Sequence, residues 1–181
     1  IGYTDSPVAM ASYIIADKRE RDVIPHLHAI LEGRVVEHQI NTGDFLLCRA
    51  STAASGKMQT QTIACFERKT CKDFVSSFRD GRYENRQKMI EMRSRTGCQL
   101  YFIVEGPAFA SPEWKIGRNI TYKSIMSAMV SLPLASGIGV IQTKDAKHTA
   151  ETLRDWAKKL DGISDPYMFP VSVGADAGAD A

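Results

Sequence analysis

Short apolar runs, closed by turn residues, alternate along the chain with longer stretches whose apolar positions recur at helical spacing. Ser12-Tyr13-Ile14-Ile15-Ala16 predicts a first strand ending at Asp17, followed by a helix from about Arg21 to Leu31 that Gly33 stops. Val35 to Ile40 predicts a second strand. Asp44 opens the run Phe45-Leu46-Leu47-Cys48, and Met58 to Phe66 reads as its partner across a turn at Ser55-Gly56. Thr70 is an N-cap with Asp73 three residues on, opening a helix that carries Phe74, Val75 and Phe78. Gly81 interrupts, and a further helix runs from about Tyr83 to Thr96. Leu100 to Val104 is a continuous apolar strand closed by Glu105-Gly106-Pro107. Residues 107–119 read as a loop. Thr121 to Leu132 predicts a helix that ends before Pro133, and Ile138 to Ile141 a short strand. A last helix over about 145–160 carries Ala146, Ala150, Leu153, Ala157 and Leu160 on one stripe. Strands alternating with helices imply an α/β fold, a mixed central sheet flanked by helices on both faces.

Composition narrows this picture modestly. The 181 residues suffice for one domain with a substantial core, and 44% apolar with 24% charged residues is ordinary for a globular chain. Four cysteines (48, 65, 71 and 98) form no CxxC pair, which argues for reduced, mostly buried thiols in an intracellular protein. His26 and His28 read as ordinary surface or half-buried residues. No apolar run approaches a membrane span and no signal peptide is visible, so no membrane partner is expected. Residues 1–11 read as a terminal extension. The tail 161–181, with Gly-Ala-Asp-Ala-Gly-Ala-Asp-Ala from Gly174, reads as a linker without a core. Net charge is only +2, but Phe66 to Arg95 holds nine basic residues against five acidic ones. Such a segment is usually a solvated helix face; beside a phosphate-cleaving site it becomes a DNA-facing surface.

The candidate chemistry lies in Gly43-Asp44 and in Glu67-Arg68-Lys69-Thr70-Cys71-Lys72-Asp73. Alternate side chains of a strand share a face, so Glu67 and Lys69 point one way and Arg68 the other. The hairpin carries Asp44 to them. Two carboxylates and an ammonium are what metal-dependent phosphodiester cleavage requires: oxygens for a hard cation, and a positive charge for the attacking water or the developing negative charge. A lone Glu-x-Lys is more often a simple ion pair on an exposed strand.

More of the chain fits a known pattern. Asp17-Lys18-Arg19-Glu20, the Gly-Asp and Glu-Arg-Lys motifs, Ser76-Ser77-Phe78-Arg79-Asp80-Gly81-Arg82 with Gln87 downstream, Ile103-Val104-Glu105-Gly106 and Thr149-Ala150-Glu151-Thr152-Leu153 follow one another in order. Together they resemble the nuclease domain of the XPF family of structure-specific endonucleases, whose signature is GD, a variable gap, then ERKxxxD. The resemblance covers about residues 12–160 and implies a restriction-endonuclease-like, PD-(D/E)xK fold. It implies metal binding by Asp44 and Glu67 with Asp17 in support. It gives Lys69 the attacking water and counts Arg68 in the catalytic set, as a brace of the site or the partner of a carboxylate in the core. Asp73 is implied as a further catalytic acid, as the helix cap, or as both. Arg19, Glu20, Arg82, Arg86 and Gln87 are implied as site support or phosphate contacts, against ordinary surface positions.

The implied reaction is Mg²⁺-dependent hydrolysis of DNA, with Mn²⁺ able to substitute, at branched or junction structures in repair or recombination. The implied place is with DNA in the nucleus or nucleoid. Members of this family usually continue into helix-hairpin-helix repeats, for which the residues after 160 are too few, so the chain reads as a nuclease domain cut out or standing alone. A homodimer, or a heterodimer with a related domain, is expected through late helices bearing Ile125, Met126, Met129 and Val130. Two other readings stay open: a less selective DNA nuclease or junction resolvase of the same fold, and an inactive DNA-binding or scaffolding subunit.

Overall fold

Six strands form one mixed sheet in the order β2-β1-β3-β4-β5-β6. The computed structural model describes residues 9–52, 55–79, 84–106 and 121–163. Strand β1 (Ala9–Asp17) pairs parallel with β2 (Val35–His38) and antiparallel with β3 (Phe45–Thr52). The hairpin of β3 and β4 (Met58–Thr70) is antiparallel, with Phe45 opposite Phe66. Strands β5 (Gln99–Glu105) and β6 (Ile138–Thr143) then add in parallel, setting Glu67 opposite Phe102 and Phe102 opposite Val140. Central β4 is buried from Ile63 to Glu67, as a strand covered on both faces must be.

Two apolar layers fill the two faces. Helices α1 (Ile24–Ile30) and α5 (Ala146–Asp161) cover one, where Leu27, Leu153, Ala157 and Leu160 meet Ile14, Phe45, Leu47 and Phe66. Helices α2 (Cys71–Arg79), α3 (Glu84–Thr96) and α4 (Tyr122–Ser136) cover the other, where Phe74, Met89, Ile125 and Leu132 meet Leu46, Cys65, Leu100 and Phe102. All four cysteines are buried and free. Among the described residues no helix is long and apolar enough to cross a membrane.

The pattern reading survives with shifted ends and two corrections. Pro133 does not stop α4, which continues to Ser136. The missing amide costs one hydrogen bond in the final turn, but Pro133 still offers its carbonyl, which accepts from the Gly137 amide at 3.0 Å. Gly137 sits at φ 61° and closes the helix in the left-handed conformation that glycine adopts freely. The second correction is Ile125, expected on a dimer surface but fully buried in the core. Helix α5 extends through Asp161, whose carboxylate accepts from the Ser12 amide and from Arg34, so that residue belongs to the folded body. The strand β1 likewise begins at Ala9. The loop expected over 107–119 and the tail from Gly174 lie outside the described residues.

Candidate active site

Three neighbouring interior strands meet here, the end of β1, the start of β3 and β4 at Phe66, tied by main-chain hydrogen bonds. The Asp17 amide donates to the Asp44 carbonyl at 2.8 Å, and the Asp44 amide to the Phe66 carbonyl at 2.7 Å. Gly43 makes the second approach feasible. It lies at φ +78°, and an added Cβ would fall 2.5 Å from Cys65 Sγ and 3.1 Å from the Phe66 carbonyl oxygen. The Gly-Asp pair is therefore a turn residue followed by the carboxylate it aims.

A polar cleft of about 170 Å³ opens here, lined by Asn41, Thr42, Gly43, Asp44 and Glu67. Arg19 flanks one side, and Asn85 and Lys88 reach it from α3. Asp44 Oδ2 accepts from the Arg68 amide at 2.7 Å. Glu67 is buried; its Oε1 accepts from Lys69 Nζ at 3.1 Å and from Asn85 Nδ2 at 2.5 Å. Burial, then the negative charge of Glu67, push the Asp44 carboxyl up to about 7. The two carboxylates repel each other across the cleft.

Asp17 is the opposite case. Its side chain is wholly buried, and its two oxygens accept from Arg19 Nε, Arg19 Nη2 and the amides of Arg19 and Ile40. The hydrogen bond from Arg19 leads the causes that hold it at about 2. Asp17 is thus spent on anchoring Arg19, whose side chain is 73% exposed over the cleft, and stands outside the cleft walls itself.

Arg68 points to the other face of β4, as strand alternation requires. All five of its donors are used: bidentate pairs to Glu105 and Asp22, and Nη1 to Glu20 at 2.8 Å. Burial opposes its charge, but the hydrogen bonds that Arg68 donates to Glu105, Asp22 and Glu20 outweigh it and raise the guanidinium pKa. Glu105 is held in turn by Thr149 Oγ1 at 2.7 Å. Burial leads in raising the Glu20 carboxyl; Glu20 accepts from Arg68 in this cluster and does not line the cleft.

Asp73 belongs to the helix cap. Its amide donates to Thr70 Oγ1 at 3.1 Å, and Thr70 Oγ1 donates to its carboxylate at 2.8 Å. It does not line the cleft; nor does Lys69, which reaches the site only through its contact with Glu67. Gln87 is exposed and turned to Glu91, Arg86 is half-buried, and Arg82 lies outside the described residues. The sequence reading missed Asn85 altogether and gave Lys88 no individual role. The available signal was their i, i+3 spacing, which puts both on one side of a helix.

Among the described residues no three His, Cys, Asp or Glu side chains gather as a metal cluster. The donor set nevertheless fits a hard divalent ion. Two carboxylates that repel each other are present, and Mg²⁺ commonly takes one or two carboxylates and completes its shell from substrate phosphate and water.

The ERCC4 domain family matches residues 16–155. In sequence the chain is similar to the ERCC4 domain-containing protein EP364R of African swine fever virus. Identity is 43% over 157 residues with strain Badajoz 1971 Vero-adapted, covering 78% of this chain and 40% of that one. It is 42% over 156 residues with isolate Warthog/Namibia/Wart80/1980, covering 78% and 39%. The chain thus spans about two fifths of the length of these relatives. In fold it is similar to XPF from Aeropyrum pernix, at TM-score 0.58 and 27% identity over 82% of this chain and 65% of that one. The same protein in complex with DNA gives TM-score 0.55 and 27% identity, over 86% and 68%.

Proposed function

Because the chain belongs to the ERCC4 domain family of XPF-type nucleases, we propose that it is a Mg²⁺-dependent endonuclease that hydrolyses DNA phosphodiester bonds at branched or junction structures. The observation that carries this reading is the juxtaposition of Asp44, Glu67 and Lys69 beside a cleft flanked by Arg19 and Lys88. Carboxylates and cations lining one cleft suit a phosphate backbone and its counter-ion together.

Asp44 and Glu67 are the residues that hold the cation, Mg²⁺ or Mn²⁺ in its place. When bound, such an ion supplies charge neutralisation and Lewis acidity at the phosphate. Lys69 Nζ stands 3.1 Å from Glu67 Oε1, where it orients the attacking water and steadies negative charge as it develops. Arg19, locked by buried Asp17, and Lys88 grip phosphate oxygens. Arg68 braces β4 from behind. Arg86 and Gln87 do not line the cleft and contribute outlying phosphate contacts. Binding through such contacts is sequence-independent and weakens steeply with salt.

The proposed selectivity for branch points takes the strand that enters this cleft of about 170 Å³ to be separated from its partner. That separation costs least where the duplex is already open. The protein is expected to work on DNA inside the cell, as a homodimer or paired with a related domain.

A panel of labelled substrates with and without Mg²⁺ tests the proposal. Cleavage near a duplex–single-strand junction should exceed cleavage of linear duplex, and Asp44→Asn or Glu67→Gln should abolish it while DNA binding persists. Equal cutting of both substrates would leave a general nuclease; no cutting at all, with binding intact, would leave an inactive DNA-binding subunit.

A further inference from the structure

Glu67 lies on a rigid central strand, but its carboxylate must still be turned towards the cleft. Two donors converge on a single oxygen, Oε1: Lys69 Nζ at 3.1 Å from the same strand and Asn85 Nδ2 at 2.5 Å from α3. Oε2 takes no hydrogen bond among the described residues. The arrangement is therefore asymmetric, with one oxygen fully engaged and the other left for a ligand. Asn85 is the second residue of α3, and Met89, four residues on, is fully buried against the sheet. The donor thus comes from a helix whose own position is fixed by the core.

From this geometry we infer that Asn85 is a positioning residue, which locks the Glu67 carboxylate rotamer so that Oε2 faces the cation. The inference rests on the cation-dependent reading above. An amide suits the task better than another charge. It donates without adding a carboxylate to a site where Asp44 and Glu67 already repel, and without a second ammonium that would compete with the cation. Lys69 alone cannot do the same. Its flexible stem lets the ammonium follow the carboxylate instead of fixing it, whereas the short asparagine side chain has little freedom to follow. Lys88, one turn further along α3, reaches the same cleft, so α3 brings both a ligand-orienting amide and a phosphate-facing cation.

The test is Mn²⁺ binding to the 181-residue chain, read by the loss of the free-ion electron paramagnetic resonance signal, beside thermal melting and cleavage. Asn85→Ala should weaken Mn²⁺ binding by about tenfold or more, the usual cost of losing a partner that orients a metal ligand, with the melting temperature little changed. Asn85→Gln, which keeps the amide donor, should recover part of that loss and also covers the case in which Asn85→Ala fails to fold. Asp44→Asn sets the scale for loss of a direct ligand. Mn²⁺ affinity equal to wild type in a folded Asn85→Ala would overturn the positioning role while leaving the nuclease reading intact. A wild-type chain that binds no Mn²⁺ would overturn both.

Discussion

Two aspartates stand one hydrogen bond apart, at the end of β1 and the start of β3, and are driven in opposite directions. Asp17 accepts four hydrogen bonds and is held at about 2, whereas Asp44 accepts one from the Arg68 amide, faces Glu67 and is pushed up to about 7. Their contributions to stability have opposite signs. Asp17 binds its proton less tightly folded than unfolded, so its stabilisation is present above about pH 4 and is lost as pH falls towards 2. Asp44 binds its proton more tightly folded; its favourable contribution is complete below about pH 4 and is lost as pH rises through 7. In EDTA, Asp44→Asn should therefore melt above wild type at about pH 8, with the gap closing by about pH 4. Melting curves across that range check it; a gap independent of pH would mean that Asp44 carries no such strain. By the same linkage, divalent-ion affinity should rise with pH through the region near 7, since the ion must displace the Asp44 proton. At this scale the sequence was readable where spacing alone places a residue, as for Glu67, Lys69 and the opposed Arg68. It was not readable where partners come from afar. Glu105, Asp22 and Glu20 lie 37, 46 and 48 residues from Arg68, and only the folded sheet brings them to one guanidinium.

Strand β4 and helix α2 form one unit, because the strand that bears Glu67 and Lys69 passes at Thr70 directly into the helix. The cap at this junction was legible from Thr70 and Asp73 three residues apart, since capping is local chemistry. Whether Asp73 also reached the chemistry was not legible, as that depends on which way the helix departs. Its carboxylate is occupied by Thr70 Oγ1 and stands away from the cleft. Thr70→Ala should cost about 1 kcal/mol of stability, the usual loss for an N-cap hydroxyl. Asp73→Ala should lower the melting temperature modestly and leave cleavage by the folded protein within a few-fold of wild type. Denaturant unfolding and single-turnover cleavage measure the two effects separately. Abolished cleavage in a stable Asp73→Ala protein would return Asp73 to the catalytic set. The overrun of α4 past Pro133 has a related lesson. A proline removes one amide, and in a last turn closed by Gly137 that loss does not end the helix.

At the scale of the molecule, the alternation of strands and helices was enough to infer two covered sheet faces, because each apolar strand face demands a helical stripe against it. It could not assign every apolar side of α4, a helix with more apolar positions than one face can use. Ile125, Ala128 and Leu132 go into the core, whereas Val130 is 57% and Leu134 83% exposed, one turn apart on the outer side. Met126 and Met129 are half-buried between them and the core. Two exposed apolar residues one turn apart suit an interface and support the dimer proposed above, with Val130 where it was expected and Leu134 beside it in place of buried Ile125. Leu134→Glu adds a charge at a position that touches little in the monomer, so the melting temperature at low concentration should hardly move. In an interface the same charge would be buried without a partner and would oppose association. Sedimentation at about tens of micromolar, a range suited to a weak interface, should show wild type as a dimer and Leu134→Glu as a monomer. Wild type sedimenting as a monomer under those conditions would remove the homodimer and leave Val130 and Leu134 to a related domain. A dimer that survives Leu134→Glu would place the interface elsewhere on the molecule.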